Sequence, residues 1–237
     1  MDKKLALIHL ESISLFKDIP VSILEKLAAG GAIKYRPSRS SVYQAGDPAE
    51  HVFILSEGLV KVGNFYIDGK EVLKSIVMPG ELFGELGLTG ENLRSEFAIP
   101  FRGACTYYAI RVIDLKQAMT ENSELMFRIM TGLGVRVGSA EKRFESYVFQ
   151  DSRSRVIDFI LSYAKKVGAP SASGVIFSHF MTHQDIANLT GASRQFVTAV
   201  LNDLRRSGYI GFNRITITVK NAAGLEAELS SGMADHV

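Results

Sequence analysis

Two stretches of this chain carry side chains whose types and spacing suit chemistry on an anion. The first is 182–208. Thr182, with Asp185 three residues on, reads as the start of a helix whose buried face is Ile186, Ala187 and Leu189. Thr190-Gly191-Ala192 is a tight connection, and Ser193 caps a second helix. There Val197, Val200, Leu201 and Leu204 fall at i, i+3, i+4 and i+7, a core stripe, and Gly208 supplies the stop. Opposite the stripe lie Arg194, Gln195, Thr198, Asn202 and Arg205, with Arg206 beside them. An arginine fork donates two hydrogen bonds to guanine O6 and N7, and a glutamine amide pairs with adenine N6 and N7. Both residues stand in the first turn after the cap, the end of a helix that reaches base edges in a major groove. Thr182, Ser193, Thr198, Asn202, Arg205 and Arg206 complete the candidate DNA contacts, to bases or to phosphates. An ordinary solvated helix face also carries Arg and Gln, so cap, turn and stripe must be read together. Two short helices about a glycine turn make a helix-turn-helix, and Tyr209 to Val219 follows as a β-hairpin turning near Asn213. The expectation is a winged helix-turn-helix.

The second stretch is Pro79-Gly80-Glu81-Leu82-Phe83-Gly84-Glu85-Leu86-Gly87-Leu88, followed by Arg94-Ser95. A glycine at a short helix start turns backbone N–H groups toward an anion. Glu85 offers acceptors for a ribose hydroxyl, Arg94 a charged fork for phosphate oxygens, and Ser95 a hydroxyl donor. Turn chemistry and surface charge alone would also produce this pattern.

Elements must position these groups. Leu5 to Leu27 has apolar residues at helical spacing interrupted by Pro20, and reads as short helices. Over 32–110, short β-rich runs such as Val52–Leu55, Leu59–Val62, Val72–Val77 and Ala104–Ile110 alternate with turn signals. Asp68-Gly69, between two such runs, is a strong hairpin signal. The expectation is an antiparallel β-roll or barrel. After Asn122 the period becomes helical. Met126, Met130, Leu133, Val137, Ala140, Phe144 and Tyr147 recur at steps of four and three, a seam suited to two helices packed along their length. Packing on its own domain is the alternative use of that stripe. Gly132, Gly134 and Gly138 weaken the helix by about 0.5–1 kcal/mol each, so it depends on packing. A second amphipathic stretch runs from Val156 to Val167, then Gly168–Gly174 is a loop by composition and Val175-Ile176-Phe177 a short strand.

Composition narrows the class. The chain has 237 residues, 46% hydrophobic and 22% charged, which suits two domains with their own cores. Net charge is +2, but residues 1–149 balance at 18 basic and 18 acidic groups, while 150–220 carry nine basic against four acidic. The basic module coincides with the helix-turn-helix. A single cysteine, Cys105, excludes a disulfide framework and any cluster built from several thiolates, and reads as a buried small hydrophobe. No apolar run approaches the roughly 18–20 residues of a membrane span, and the cytoplasm is the default location. His9, His51, His179, His183 and His236 show no ligand pattern, so no metal site is expected. No P-loop lysine, His-Glu-x-x-His or nucleophile–base set marks an enzyme.

Over roughly 14–220 the chain resembles the bacterial CRP/FNR family of transcription regulators. Gly84-Glu85-Leu86-Gly87, Arg94-Ser95, Gln184-Asp185-Ile186-Ala187, Gly191-Ala192-Ser193-Arg194 and Val197-Thr198-Ala199-Val200-Leu201 carry the likeness. The resemblance implies an α+β protein: a cyclic-nucleotide-binding type of β-roll with N-terminal helices (1–120), a long dimerisation helix (121–149) and a winged helix-turn-helix (150–220); beyond the likeness, residues 221–237 are expected to be a flexible tail. It also implies a homodimer joined at Met126, Met130, Leu133, Val137, Ala140, Phe144 and Tyr147. An effector such as cyclic AMP or cyclic GMP would sit at Gly84, Glu85, Leu86, Arg94, Ser95 and Ser139, with no cofactor required. The implied partners are double-stranded palindromic DNA and RNA polymerase. Two departures bear on the effector and the operator. The interval from Glu85 to Arg94 is one residue shorter than in the cyclic-AMP receptor, and Gly138-Ser139-Ala140 keeps one hydroxyl where that protein has a Thr-Ser pair. Gln195 stands where it has Glu, which predicts a different half-site. A regulator that binds DNA without ligand, and a sensor acting through protein partners without DNA, are the competing readings.

Overall fold

Ala6 and Leu10, one turn apart, bury one face of the first helix, α1 (Lys3–Glu11), and a 3-10 turn at Ser14–Phe16 brings Phe16 in beneath it. Pro20 then opens α2 (Val21–Gly30), which buries Ile23, Leu24, Leu27 and Ala28. Seven strands follow: β1 (Ala32–Arg36), β2 (His51–Glu57), β3 (Val60–Phe65), β4 (Glu71–Val77), β5 (Leu82–Phe83), β6 (Phe97–Pro100) and β7 (Cys105–Arg111). They form two antiparallel sheets, ordered β1-β7-β2-β5 and β4-β3-β6. This computed structural model describes residues 3–65, 71–178, 181–213 and 215–234. The Asp68-Gly69 turn, His179, Arg214 and His236 lie outside them.

Period-two alternation divides two central strands between two cores. Phe53 and Leu55 on β2, with Cys105, Tyr107 and Ala109 on β7, meet Val60, Val62, Val77 and Ala98 of the other sheet inside the roll. Val52, Ile54, Tyr108 and Ile110 face the opposite way, onto α1, α2 and the helices after the roll. Those are α3 (Val112–Glu121), which buries Leu115 and Ala118, and the 27-residue α4 (Ser123–Phe149). Each fully buried aliphatic or aromatic side chain stabilises this double core by about 1.5–3 kcal/mol.

Two compact units divide the chain, 1–136 and 137–237, with the boundary inside α4. In the first unit Leu125 and Ile129 of α4 are buried against the helical core and Leu133 packs beside them. Leu133, expected on an intermolecular seam, therefore serves its own domain. Met130 (55% exposed), Val137 (57%) and Phe144 (70%) of the same heptad stripe point outward. A Cβ at Gly132, Gly134 or Gly138 would meet nothing, so these glycines do not reflect crowding within the chain.

The second unit continues with α5 (Ser152–Val167), whose cap Asp151 accepts from the Ser154 N–H at 2.7 Å. Residues 168–174, expected as a loop, instead form β8 (Ala169–Ser171) in a hairpin with β9 (Gly174–Ser178). β8 is an edge strand, where Pro170 can lack an N–H without breaking a ladder. Helices α6 (His183–Thr190) and α7 (Arg194–Arg206) precede β10 (Ile210–Phe212) and β11 (Thr216–Val219), giving a sheet ordered β10-β11-β9-β8. The tail expected to be flexible is, over most of its length, a helix, α8 (Ala222–Ala234). Asn221 starts it by accepting from the Gly224 N–H, Leu225 is fully buried, and Glu228 pairs with Arg153 of α5 at 3.0 Å. Low charge and small residues hid that anchor in the sequence.

Candidate nucleic-acid interface and ligand cassette

The reader is built by its caps. Thr182 Oγ1 accepts from the Asp185 N–H at 3.2 Å, and Asp185 Oδ2 accepts from the Thr182 N–H at 2.7 Å, a reciprocal capping box. Ser193 Oγ accepts from the Phe196 N–H at 3.1 Å. Thr182 and Ser193, two of the candidate DNA contacts, thus have a structural duty as well. Val197, Val200, Leu201 and Leu204 are buried as the stripe requires, and α7 presents the opposite face outward.

On that face the candidate contacts separate into two groups. Arg194 and Gln195 are exposed, and their side chains have no partner among the described residues. They are the polar side chains of this face left open to solvent. Thr198 is already engaged, donating to the Arg194 carbonyl at 2.9 Å and lying 2.7 Å from His183 Nδ1. Arg205 donates to Asn202 Oδ1 at 3.1 Å and stacks over the Phe212 ring at 4.9 Å, which ties α7 to the wing. Arg206 turns back to Asp203 at 3.3 Å but stays mostly exposed. His183 also meets Phe212 edge-on, at 6.2 Å between centroids. His183 and Phe212 were missed in the sequence because they join this face only through tertiary packing.

The cassette follows β5. Gly84 adopts φ +70° ahead of a 3-10 turn at Glu85–Thr89, and a Cβ there would lie 2.9 Å from Phe53 and 3.0 Å from Arg94. Both the conformation and the space require glycine. Arg94 is 3% exposed and points into the roll rather than out of it. Its Nη1 donates to the Gly84 carbonyl at 2.7 Å and its Nη2 to the His51 carbonyl. The guanidinium lies 4.5 Å from the Tyr43 ring and 5.4 Å from Phe53, while Nε is buried with no partner among the described residues. Burial pulls the Arg94 pKa down, and nearby groups including Tyr43, Glu91, Glu96 and Glu85 oppose that fall.

Glu85, read as a ribose acceptor, sits 2.6 Å from Arg136 Nη1, which also donates to the Leu82 carbonyl at 3.1 Å. Leu86 is half-buried in the 3-10 turn, and Ser95 is exposed, its N–H donating to Glu91 Oε1 at 3.2 Å. Ser139 lies exposed on α4 in the second unit. The structure therefore gathers Gly84, Glu85 and Arg94, commits both Nη groups of Arg94 to carbonyls and Glu85 to an ion pair, and leaves Arg94 Nε open. A phosphate must displace a carbonyl from Arg94 or bind at Nε, and a ribose diol must compete with Arg136 for Glu85. Arg136 and His51 were not foreseen, since neither stands near the cassette in sequence.

Among the described residues no group of three or more His, Cys, Asp or Glu could hold a metal ion, and no helix is long and apolar enough to cross a membrane.

Comparison with known proteins agrees with this architecture. Residues 33–122 match the cyclic nucleotide-binding domain, and residues 154–228 match the Crp-like helix-turn-helix domain. A global nitrogen regulator of Synechococcus elongatus is 31% identical over 80% of this chain and 86% of its own length. A CRP-like cAMP-activated global transcriptional regulator of Mycobacterium tuberculosis is 25% identical over 80% and 84%. The solved structure of a CooA mutant from Carboxydothermus hydrogenoformans superposes with a TM-score of 0.77 at 18% identity, covering 90% of this chain and 92% of that one. With capped reader, roll and long helix in family order, the chain belongs to the CRP/FNR family of transcription regulators, a family of DNA-binding proteins and not of enzymes.

Proposed function

We propose that the protein is a homodimer that reads a palindromic operator through Arg194 and Gln195, controlled by a small anionic effector at the roll. The observation that carries this reading is the exposed apolar stripe of α4. Met130, Val137 and Phe144, each more than half exposed, recur at heptad-like spacing, and a second copy of the same helix covers them. Met126 and Ala140 lie on the same stripe. Twofold pairing also places two copies of α7 on one DNA face, and the regional excess of basic side chains supports phosphate contacts there. RNA polymerase is the partner expected of such a regulator.

The effector is a compact anion that engages Arg94, with cyclic AMP and cyclic GMP as the first candidates to try. A specific observation favours a second reading, a regulator that binds DNA without ligand. Both Nη groups of Arg94 already hold main-chain carbonyls, so the arginine has a structural use of its own.

A gel shift with selected palindromes tests the reader. Arg194→Ala should lose discrimination at one base pair by about 1–3 kcal/mol. Equal, sequence-independent binding by both proteins would sink the specific-reader claim. Calorimetry with the two cyclic nucleotides separates the effector readings, since the ligand-independent regulator gives no heat with either.

A further inference from the structure

One guanidinium in the second unit holds three segments of chain together. Arg155, in the first turns of α5, donates from Nε to the Thr190 carbonyl at 2.8 Å. Its Nη1 donates to the Gln150 carbonyl at 2.6 Å, and its Nη2 to Ser152 Oγ at 3.0 Å. The same group lies 5.2 Å from the Tyr147 ring. Thr190 is the last residue of α6, Gln150 is the link after α4, and Tyr147 is in the last turn of α4.

Tyr147 was expected on the dimer seam. Its ring instead lies against the turn of the helix-turn-helix, and its hydroxyl donates to the Leu189 carbonyl at 3.4 Å. Gly191, at φ +64° as the C-cap of α6, has the ring so close that a Cβ would lie 2.5 Å from Tyr147 Cε1. The turn therefore needs its glycine twice, for conformation and for space. Val137 and Phe144 of the stripe belong to the same compact unit as α7.

We propose that Arg155 and Tyr147 are positioning residues that fix the angle between the end of α4 and the helix-turn-helix, and so set the half-site spacing the dimer accepts. This rests on the dimeric reading above. The reasoning is geometric. Paired recognition helices enter grooves about one turn, 10–10.5 bp, apart. Each added base pair shifts a half-site by about 3.4 Å and also rotates it. A dimer paired along α4 tolerates that displacement only if the joint between α4 and the reader bends. A guanidinium with three directed bonds and a stacked ring resists bending, because each bond has its own angular requirement. Lysine in its place keeps the charge but lacks the planar fork, so it cannot hold all three sites.

The test uses duplexes with identical half-sites at the preferred spacing and at one or two base pairs more or fewer, plus a single half-site. Wild type should favour one spacing by about tenfold or more, the scale of the bonds and ring contact concerned. Tyr147→Ala and Arg155→Lys should flatten that preference to about threefold or less, with single half-site affinity unchanged. Tyr147 is 46% exposed, so its truncation opens no buried cavity and carries the test should Arg155→Lys fail to fold. Variants that keep the wild-type spacing preference overturn the proposal. So does an equal loss on every duplex, the half-site included, which is what a merely structural role produces. Wild type that binds palindromes without spacing preference overturns this inference and leaves the reader intact, whereas absence of any sequence-specific binding removes the operator-reading proposal on which it rests.

Discussion

Replacing Arg94 should unfold the roll more readily, whatever the ligand turns out to be. The side chain gives two charge-assisted hydrogen bonds to main-chain carbonyls, each contributing about 1.5–3 kcal/mol. Its contacts with Tyr43 and Phe53, all three groups being buried, add up to about 2 kcal/mol each. Against these stands the desolvation of a guanidinium that is 3% exposed, which costs several kcal/mol. Arg94→Ala removes the cation but strands the carbonyls of Gly84 and His51, a penalty of about 1–3 kcal/mol apiece. The expected net loss is about 3 kcal/mol, a fall of about 10 °C in the melting of a unit this size. Near-ultraviolet circular dichroism reports on the roll, since Tyr43, Tyr107 and Tyr108 are all buried in the first unit and the chain has no Trp, with Tyr163 of the second unit adding a contribution common to variant and wild type. Arg94→Lys should recover part of the loss, because an ammonium can reach one carbonyl but not fork to two. If Arg94→Ala melts within about 2 °C of wild type, the carbonyl bonds contribute little and the structural assignment of this arginine is wrong.

Three further outcomes follow from contacts elsewhere. Phe144→Glu should convert the dimer to monomer in sedimentation and leave a melting temperature that no longer rises with protein concentration, because the side chain is 70% exposed in the single chain and its burial belongs to the dimer; an unchanged dimer would place the interface elsewhere. Thr182→Ala should destabilise the second unit by about 1 kcal/mol by opening the capping box, a few degrees of melting, and no change would mean that Asp185 caps unaided. His9 bonds Ser56 Oγ at 2.6 Å, and burial holds its pKa below 6.5 although Glu57 pulls upward. The unfolded chain therefore takes up a proton that the folded one resists, so stability present above pH 6.5 falls as pH drops below it. His9→Gln should flatten that fall in melts of the first unit, and an equally steep variant would locate the titration in another group.

Features coded within one turn or one strand were legible in the chain itself. Thr182, Asp185 and Ser193 announce their helix starts, and Val197 to Leu204 announce the buried side, because capping and helical periodicity need no distant partner. The β-rich runs at 52–55 and 104–110 were legible as strands, but a continuous apolar run does not show that its residues alternate between two cores. What escaped depends on which elements meet. Thr198 and Arg205 read as open contacts until His183 and Phe212 arrive from α6 and the wing. Arg94 reads as a ligand fork until the fold brings it to carbonyls 10 and 43 residues away. The heptad stripe was visible as a period, but a period does not say that Leu133 turns to its own core or that Tyr147 turns to Gly191.

The pairing of β1 with β7 has a consequence for synthesis. Ala32 lies opposite Ala109, so the first strand of the roll has its partner roughly 77 residues downstream. At about 5–20 residues per second the ribosome takes about 4–15 s to supply it. Until then α1, α2 and β1 emerge with their apolar faces uncovered, since the other side of that core is made by β2 and β7. The loop closed is long and must form before its contacts reward it. The helix-turn-helix has no such wait, because α6 and α7 meet across three residues. The nascent N-terminal half is thus the segment most exposed to aggregation during synthesis, and truncation before residue 105 should yield aggregates rather than a smaller folded domain.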